Sequence, residues 1–438
     1  MKRLRFGTGA WGRYVAARRQ ERGPAGRVTL AVASILEDVR RHGDAALLRL
    51  TERFDGVRLD KDALRVPAEE VRRLAGRAPA DLRRALREMA TRLRAFHSRQ
   101  LHAGFALRKG KGALLEEVVA PIDSAALYVP GGAGAYPSSV LMSAIPALLA
   151  GVPRLQVMTP PRTLSENAAV AAALVEAGLE GAVYRVGGAQ AIAACAYGTA
   201  SVPTVAKVVG PGNAYVAAAK RMVRGLVEVD TDAGPSEVVV LADDSADPRW
   251  VAADLLAQAE HGSGAETVVL VTPSSRLAAA VATHVRRGAA RVSNPLSARR
   301  ALSVRGAIVQ VADLDEGVAA LNALAAEHAQ VMTRRAEALA QRVLAGAVFV
   351  GPWAPAAVGD YGIGPNHVLP TGGAARFASP LSVRDFQRRS SRVRLDQGAL
   401  RRVAGGMQRV ALAEGFRGHA RSIAVRLERR APRARRHA

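Results

Sequence analysis

Carboxylate, imidazole and carboxamide side chains stand at a few positions where they could bind a ligand or move a proton. Glu327 and His328 are adjacent near the end of a predicted helix over 314–328, and such a pair can serve two different proton transfers. Gln258 and His261 are three residues apart in another predicted helix, so both can face one metal ion. Each pair taken alone more often has a purely structural role.

Other polar residues lie outside these helices. Asp360 and His367 occur in a segment rich in glycine and proline after a predicted strand, where functional polar groups are often found. Glu414 and His419 occur in the last helical part of the chain, where the pattern alone is typical of a solvated surface. Cys195 lies in an apolar helix without an adjacent base, so we expect a core residue rather than a nucleophile.

Three turns containing glycine follow predicted strands. Tyr128 precedes the turn at 129–134, and the turns Gly187–Gln190 and Gly210–Asn213 each end in a carboxamide. Glycines after a parallel strand let backbone N–H groups approach a phosphate at a helix N-terminus. The first turn lacks the three spaced glycines of the standard dinucleotide motif, and both carboxamides also fit simple helix caps. Three such turns on one sheet edge together predict a cofactor cleft.

The segments that position these residues alternate between strand-like and helix-like patterns. One alternating series runs from residue 114 to 197 and a second from 238 to 349, with near-continuous apolar strands such as Val238–Ala242. Alternation at this pitch predicts parallel sheets with crossover helices. Residues 28–56 predict two helices separated at Gly43, and the chain from 380 onward is predicted to be helical and basic.

The positive charge of the chain is uneven. Its 438 residues include 62 Lys and Arg against 38 Asp and Glu, a net charge of +24. Residues 1–27 and 417–438 each carry +7, so we interpret the two ends as solvated tails, with binding of an acidic partner as the alternative. The aromatic content of 4% provides little surface for stacking on bases, which disfavours a nucleic-acid-binding protein. The hydrophobic content of 49% excludes a disordered chain.

Neither a membrane span nor a disulfide framework is expected. Residues 124–153 are uncharged, but Pro130, Pro137 and Pro146 interrupt them before 20 apolar residues accumulate. A single cysteine fits a reducing compartment, and we expect a cytoplasmic protein.

In combination these motifs closely resemble histidinol dehydrogenases. The similarity follows the family's order and spacing from about residue 28 to 427, and its most specific segments are Ala233–Glu237 and Asn366–Thr371. The other similar segments are Leu127–Gly132, Val186–Ala193, Gly210–Asn213, Gln258–Gly262, Glu327-His328, Gly359–Tyr361 and Glu414–His419. The family usually has Pro before and Leu after the Glu-His pair, where this chain has Ala326 and Ala329.

The resemblance implies a zinc- and NAD-dependent enzyme that oxidises L-histidinol to L-histidine in two steps through the aldehyde. It implies that Glu327 and His328 are the catalytic pair and that NAD contacts Tyr128, Gln190 and Asn213. The implied ligands of one Zn²⁺ per subunit are Gln258, His261, Asp360 and His419, the last from the partner subunit of a homodimer. The implied substrate contacts are Ser236, Gln258, His261, His328, Asp360, His367, Glu414 and His419.

We therefore expect an α/β fold with two incomplete Rossmann-like parallel-sheet domains, small helical terminal segments and a C-terminal arm exchanged in the homodimer. The expected parts are a basic segment 1–27, a first domain 28–128 plus 238–378, an NAD-binding domain 129–237 and a helical arm 379–438. The first domain is expected to carry the zinc and the catalytic pair. The nearest alternative is a paralogous zinc- and NAD-dependent alcohol dehydrogenase for another small hydroxylated substrate, such as a sulfonated diol. Ser236, His367 and Glu414 favour histidinol, because these residues meet substrate in the family.

Overall fold

The computed structural model describes residues 1–20, 26–108, 110–131, 136–230 and 234–428. The strands in these ranges are β1 (Lys2–Arg5), β2 (Phe105–Arg108), β3 (Ala113–Pro121), β4 (Ser124–Tyr128), β5 (Arg154–Met158), β6 (Val183–Tyr184), β7 (Lys207–Val209), β8 (Glu228–Val229), β9 (Glu237–Ala242), β10 (Thr267–Thr272), β11 (Ala307–Gln310), β12 (His328–Met332), β13 (Ala347–Val350) and β14 (Gln387–Leu395). The α-helices there are α1 (Gly9–Gln20), α2 (Gly26–Asp55), α3 (Ala68–Ala75), α4 (Ala80–His97), α5 (Pro137–Ala150), α6 (Thr163–Glu166), α7 (Ala168–Glu176), α8 (Gly188–Tyr197), α9 (Ala214–Val223), α10 (Pro248–Ala259), α11 (Ser275–Gly288), α12 (Pro295–Val304), α13 (Leu314–Leu324), α14 (Ala336–Ala340), α15 (Ala357–Asp360), α16 (Gln397–Ala413) and α17 (Arg417–Ala424).

The chain divides into two compact units. Unit 1 comprises Met1–Leu101 and Ile122–Phe386, and unit 2 comprises His102–Pro121 and Gln387–Ala438. Unit 1 contains two parallel sheets with helices, which confirms the predicted α/β class. The finer domain boundaries expected from the sequence stay a prediction.

The larger sheet of unit 1 has the strand order β1-β11-β10-β9-β12-β13, and its strand pairs are parallel. Its central strand β9 is buried on both faces, as expected for a parallel sheet covered by helices. Val238 and Val240 pack in the same core as side chains of α10, α11 and α12, whereas Val239 and Leu241 pack with α1, α13 and α14. Successive side chains point to opposite faces of a strand, so a continuous apolar run serves two cores.

The smaller sheet of unit 1 has the order β6-β5-β4-β7-β8, also parallel. The chain proceeds from β4 outward through β5 and β6, and then returns to the other side of β4 as β7. Helices α5 and α7 cover one face, and α2, α8 and α9 cover the other. The reversal between β4 and β7 is a topological switch point, where the carboxyl ends of parallel strands leave a crevice for ligands.

The N-terminal residues are part of the larger sheet. The expectation of a solvated tail is wrong for Lys2–Arg5 and Gly9–Gln20, because β1 pairs with β11 and α1 buries Trp11 and Tyr14. The Tyr14 hydroxyl donates a 2.6 Å hydrogen bond to the carbonyl of Arg305. Apolar residues interleaved with the arginines supply the buried contacts of β1 and α1. The solvated tail was expected because the net positive charge of this segment was weighed above its apolar residues.

The predicted break in the first long helix is confirmed. Within α2, Gly43 has φ 52° and ψ −128°, so two helical segments meet there at an angle.

Among the helices of the described residues, none combines the length and apolar composition that a membrane crossing requires.

Unit 2 is an antiparallel sheet with two helices. Its strand order is β14-β3-β2, followed along the chain by α16 and α17. The helical prediction from residue 380 onward is wrong for Gln387–Leu395, where Val393 and Leu395 alternate with arginines at the period of a strand. Several large apolar side chains of this unit are exposed, namely Phe105, Leu107, Val393, Val403, Met407, Val410, Leu412 and Phe416.

Candidate active site

The predicted catalytic pair lies at the amino edge of the six-stranded sheet. His328 is the first residue of β12, which pairs in parallel with β9 so that His328 lies opposite Val238. Ser236 immediately precedes β9. Helix α10 connects two parallel strands and therefore runs back to this same edge, which brings Gln258 and His261 there.

The sequence-based placement of the pair at the end of a helix is wrong. Helix α13 ends at Leu324, and Ala325 adopts a left-handed conformation with φ 46° before the chain enters β12. The alanines around this turn favour a helix locally, which is why the helical pattern extended too far. Ala326 and Ala329, the two departures from the family pattern, are both fully buried beside the pair.

Burial and one hydrogen bond favour a single neutral tautomer of His328. Its Nδ1 lies 3.0 Å from the carbonyl oxygen of Glu237, and because a carbonyl can only accept, Nδ1 carries the proton. The lone pair is then on Nε2, a buried atom without a hydrogen-bond partner among the described residues. Burial lowers the pKa of His328, against the opposing effect of the Asp360 charge, so the imidazole is uncharged at neutral pH.

Glu327 and Glu237 form a reciprocal buried pair. A carboxylate oxygen of Glu327 accepts the backbone N–H of Glu237 at 2.9 Å, and a carboxylate oxygen of Glu237 accepts those of Glu327 at 3.3 Å and Gly372 at 3.1 Å. Burial raises the pKa of each carboxyl to about 7, and in Glu237 the neighbouring Glu327 charge adds to this rise in pKa. The sequence reasoning did not assign Glu237 to the site. The sequence signal that could have identified Glu237 was a carboxylate at the first position of an otherwise apolar, buried strand.

The residues of unit 1 that are predicted to contact zinc and substrate gather around this pair. The carboxamide nitrogen of Gln258 lies 3.5 Å from Nδ1 of His261, and a carboxylate oxygen of Asp360 lies 3.8 Å from Nδ1 of His367. Nε2 of His367 lies 3.3 Å from the Ser139 hydroxyl. Charges on His261 and Asp360 both act on Glu327, the first lowering its pKa and the second raising it. Burial lowers the pKa of His367 as well.

The donor atoms in this cluster suit a zinc ion. Nδ1 of His261 lies 3.2 Å from the backbone carbonyl oxygen of Gln258, which favours the tautomer with the proton on Nδ1. In that tautomer the Nε2 lone pair is available to a metal. The carboxylate of Asp360 adds an oxygen donor of the kind zinc accepts, and the carboxamide oxygen of Gln258 adds a further oxygen donor that is unusual for zinc. Within the described residues, no group of three or more His, Cys, Asp and Glu side chains is arranged to hold a metal. The predicted set contains only two such residues in unit 1, because its remaining members are a glutamine and His419.

Glu414 and His419 belong to unit 2. Glu414 directly follows α16, and His419 lies in α17, where its ring stacks on Phe416 with centroids 4.9 Å apart.

The predicted cofactor contacts lie at the carboxyl edge of the five-stranded sheet. Tyr128 ends β4, and its buried hydroxyl accepts the backbone N–H of Gly188 at 3.0 Å. Gln190 is buried in the first turn of α8. Asn213 caps α9, because its side-chain oxygen accepts the N–H groups of Tyr215 at 3.0 Å and Val216 at 3.1 Å. Tyr128 and Asn213 thus border the switch point between β4 and β7.

The expected core position of Cys195 and two predicted segments complete the comparison of the sequence with the structure. Cys195 is fully buried, and burial raises the pKa of its thiol to about 12, which confirms the core assignment. Residues 132–135 of the first glycine turn and residues 231–233, including Ala233, lie outside the described residues.

Comparison with known proteins shows the family of the chain. The family model described as histidinol dehydrogenase matches residues 18–427. The chain belongs to the histidinol dehydrogenase family. It is 48% identical over 401 residues to the histidinol dehydrogenase of Geobacillus kaustophilus, covering 91% of this chain and 94% of that protein. With the Gluconobacter oxydans histidinol dehydrogenase it shares 45% identity over 431 residues, covering 98% and 100% of the two chains.

Solved structures support the same family. The crystal structure of histidinol dehydrogenase from Elizabethkingia anophelis has a TM-score of 0.90 and 30% sequence identity to this chain, and covers 98% of both chains. The chain is accordingly an oxidoreductase of the histidinol dehydrogenase type, in histidine biosynthesis.

Proposed function

We propose that the chain catalyses the four-electron oxidation of L-histidinol to L-histidine through L-histidinaldehyde, with two NAD as hydride acceptors and one zinc ion. The observation that carries this proposal is the buried pair Glu327 and His328. One member is a neutral imidazole with a bare Nε2, and the other is a carboxyl with a pKa of about 7. Two positioned bases match two oxidations that each release a proton.

When bound, the zinc ion would hold and orient the substrate, whose imidazole and amine are both good nitrogen donors. Gln258, His261 and Asp360 would bind the ion from this chain, together with His419 of the partner subunit. Ser236 and His367 would contact the substrate beside it, as would Glu414 of the partner subunit.

His328 acts in the first oxidation. Its Nε2 takes the proton of the substrate hydroxyl. NAD, when bound, would accept the hydride from the carbon that bears this hydroxyl, which would give the aldehyde and NADH. The Nδ1–H bond to the Glu237 carbonyl fixes the ring and keeps the lone pair on Nε2. Because burial disfavours the charged imidazolium and lowers the pKa of His328, the imidazole is held ready in its neutral, proton-accepting form.

Glu327 acts in the second oxidation. Its carboxylate takes a proton from water as the water oxygen adds to the aldehyde carbon, and it returns that proton to the former carbonyl oxygen, which forms the hydrate. NAD, when bound, would accept the hydride of the hydrate, and the deprotonated Glu327 carboxylate would take a hydroxyl proton, which would give the carboxylic acid. A pKa of about 7 allows Glu327 both to accept and to return a proton near neutral pH.

NAD would lie along the carboxyl edge of the five-stranded sheet. Tyr128, Gln190 and Asn213 would contact it, and the backbone N–H groups at the starts of α8 and α9 favour its phosphates.

A homodimer is part of the proposal. Unit 2 exposes several large apolar side chains, such as Met407, Val410 and Phe416, and exposed apolar patches often mark protein–protein interfaces. A second copy of the chain would cover them, with the C-terminal arms exchanged.

The proposal is tested by counting NADH. Purified enzyme with zinc and limiting L-histidinol should form about two NADH per substrate consumed, as the four-electron stoichiometry requires. One NADH per substrate, with aldehyde accumulating, would contradict the four-electron reaction. A substrate panel that includes a sulfonated diol separates this function from that of a paralogous dehydrogenase.

A further inference from the structure

A buried ion pair stands beside the predicted cofactor edge of unit 1. Lys220, in α9, pairs with Asp230, which directly follows β8. Both side chains are only 4% exposed. Placing two opposite charges out of water carries a large desolvation penalty, and apolar residues of similar volume often stabilise a fold equally well. Stability alone therefore does not account for this pair.

The hydrogen bonds of the pair converge on one residue. The Lys220 ammonium donates to the carbonyl of Gly210 at 2.9 Å, and a carboxylate oxygen of Asp230 accepts the Gly210 N–H at 2.7 Å. Both polar backbone groups of Gly210 are thus held by opposite charges in a buried setting. Charge-assisted hydrogen bonds of this kind are stronger than those between neutral groups.

Gly210 is also the point where the turn contacts the central strand. Its φ is +116°, a conformation that favours glycine, and a Cβ there would lie 2.2 Å from the carbonyl oxygen of Tyr128. Three residues later Asn213 caps α9. The conformation of Gly210 therefore sets the spacing between Tyr128 and Asn213, the two residues that border the switch point.

Asp230 and the turn face the same open space. Gly212, Asn213 and Asp230 line a cavity of about 810 Å³ in unit 1. A ligand entering beside the turn would meet backbone that the pair has already fixed, which lowers the ordering entropy lost on binding.

We propose that Lys220 and Asp230 are positioning residues that hold the Gly210–Asn213 turn in the conformation that binds the dinucleotide. This inference rests on the proposed NAD-dependent function. The pair does not touch the reacting atoms, so its removal should act on cofactor binding more than on substrate binding.

The test is the double variant Lys220→Met/Asp230→Leu, which removes both charges without leaving one buried alone. We expect the KM for NAD to rise at least about tenfold, equivalent to about 1.4 kcal/mol, while the KM for histidinol stays within about twofold of wild type. The matched control is Arg72→Met/Glu180→Leu. This pair joins α3 to the segment before β6 at 3.0 Å, and neither residue belongs to the lining of the cavity beside the turn, so the KM for NAD should stay within about twofold of wild type.

An unchanged KM for NAD in the folded double variant would overturn the proposal, and so would equal rises in both KM values. A second variant, Lys220→Gln/Asp230→Asn, keeps hydrogen-bonding groups at both positions without buried charge. We expect its KM for NAD to stay within about threefold of wild type. A tenfold rise in the KM for NAD of this second variant, at an unchanged melting temperature, would also overturn the proposal. It would show that the two charges, and not the position of the turn, determine NAD binding. Wild-type enzyme that does not reduce NAD with histidinol would instead refute the proposed function.

Discussion

Replacement of Glu327 by Gln separates the two oxidations. The oxygen of the new carboxamide can still accept the Glu237 N–H, which the wild-type carboxylate accepts at 2.9 Å, so the fold should be retained. The variant lacks a group that can take a proton from water. A positioned general base contributes about 10²–10⁴-fold, so the aldehyde oxidation should slow by that factor. The alcohol oxidation, which depends on His328, should slow much less.

The pKa of Glu327 gives this prediction a pH signature. Burial raises that pKa to about 7, so the reactive carboxylate is lost as the pH falls through 7. At pH 6 only about one-tenth of the enzyme carries the carboxylate, so aldehyde oxidation should be about tenfold slower than at pH 8. In Glu327→Gln this inflection should disappear.

The assay follows NADH formation in single turnovers, starting once from L-histidinol and once from L-histidinaldehyde across pH 5.5–9, a range of about two pH units around the expected pKa. The matched control is Glu266→Gln. Glu266 is another buried carboxylate before a neighbouring strand, where it accepts the Ser263 N–H at 2.7 Å. If Glu327→Gln retains the inflection near pH 7, or slows both oxidations equally, the assignment of Glu327 as the base of the second step is incorrect.

Three other perturbations test the site and its surroundings. In His328→Asn the new side chain can still donate to the Glu237 carbonyl, so the KM for histidinol should change little. It lacks the proton-accepting nitrogen, so kcat should fall about 10²–10⁴-fold. Unchanged turnover would remove His328 from the mechanism. The pKa of Glu237 is raised from 4.5 to about 7 in the folded protein. Neutral Glu237 therefore makes its full contribution to the free energy of unfolding below pH 4.5, and this contribution is lost as the pH rises through 7. Relative to Glu237→Gln, the wild type should therefore lose about 3 kcal/mol of unfolding free energy between pH 4.5 and 8, measured by urea unfolding, and a constant difference would contradict this linkage. Cys195 should not react with a thiol reagent at pH 8 until the chain unfolds, because its buried thiol has a pKa of about 12, and stoichiometric labelling of native protein would show otherwise.

Local periodicity predicted most of the elements of unit 1. The apolar run at Val238–Ala242 became the central strand β9, and the break at Gly43 separates two helical segments as expected. These predictions held because a strand or helix in a covered parallel sheet carries its own apolar pattern. Where basic residues were interleaved with apolar ones, at Lys2–Arg5 and Gln387–Leu395, charge concealed the period and the strands were missed.

By itself the sequence determined the α/β class and the residue types of the site, because strand and helix periods and the spacing of Glu, His, Asp and Gln are local properties of the chain. Only the tertiary structure decided that His328 opens a strand, that its Nδ1 meets the Glu237 carbonyl, and that Glu237 and Glu327 share one buried place. These contacts join residues 90 or 91 positions apart. The tautomer of His328 and the raised pKa of Glu327 follow from burial and from those distant partners, which no local pattern specifies. The same holds for Lys220 and Asp230, whose shared contact with Gly210 exists only once β7, β8 and α9 have packed.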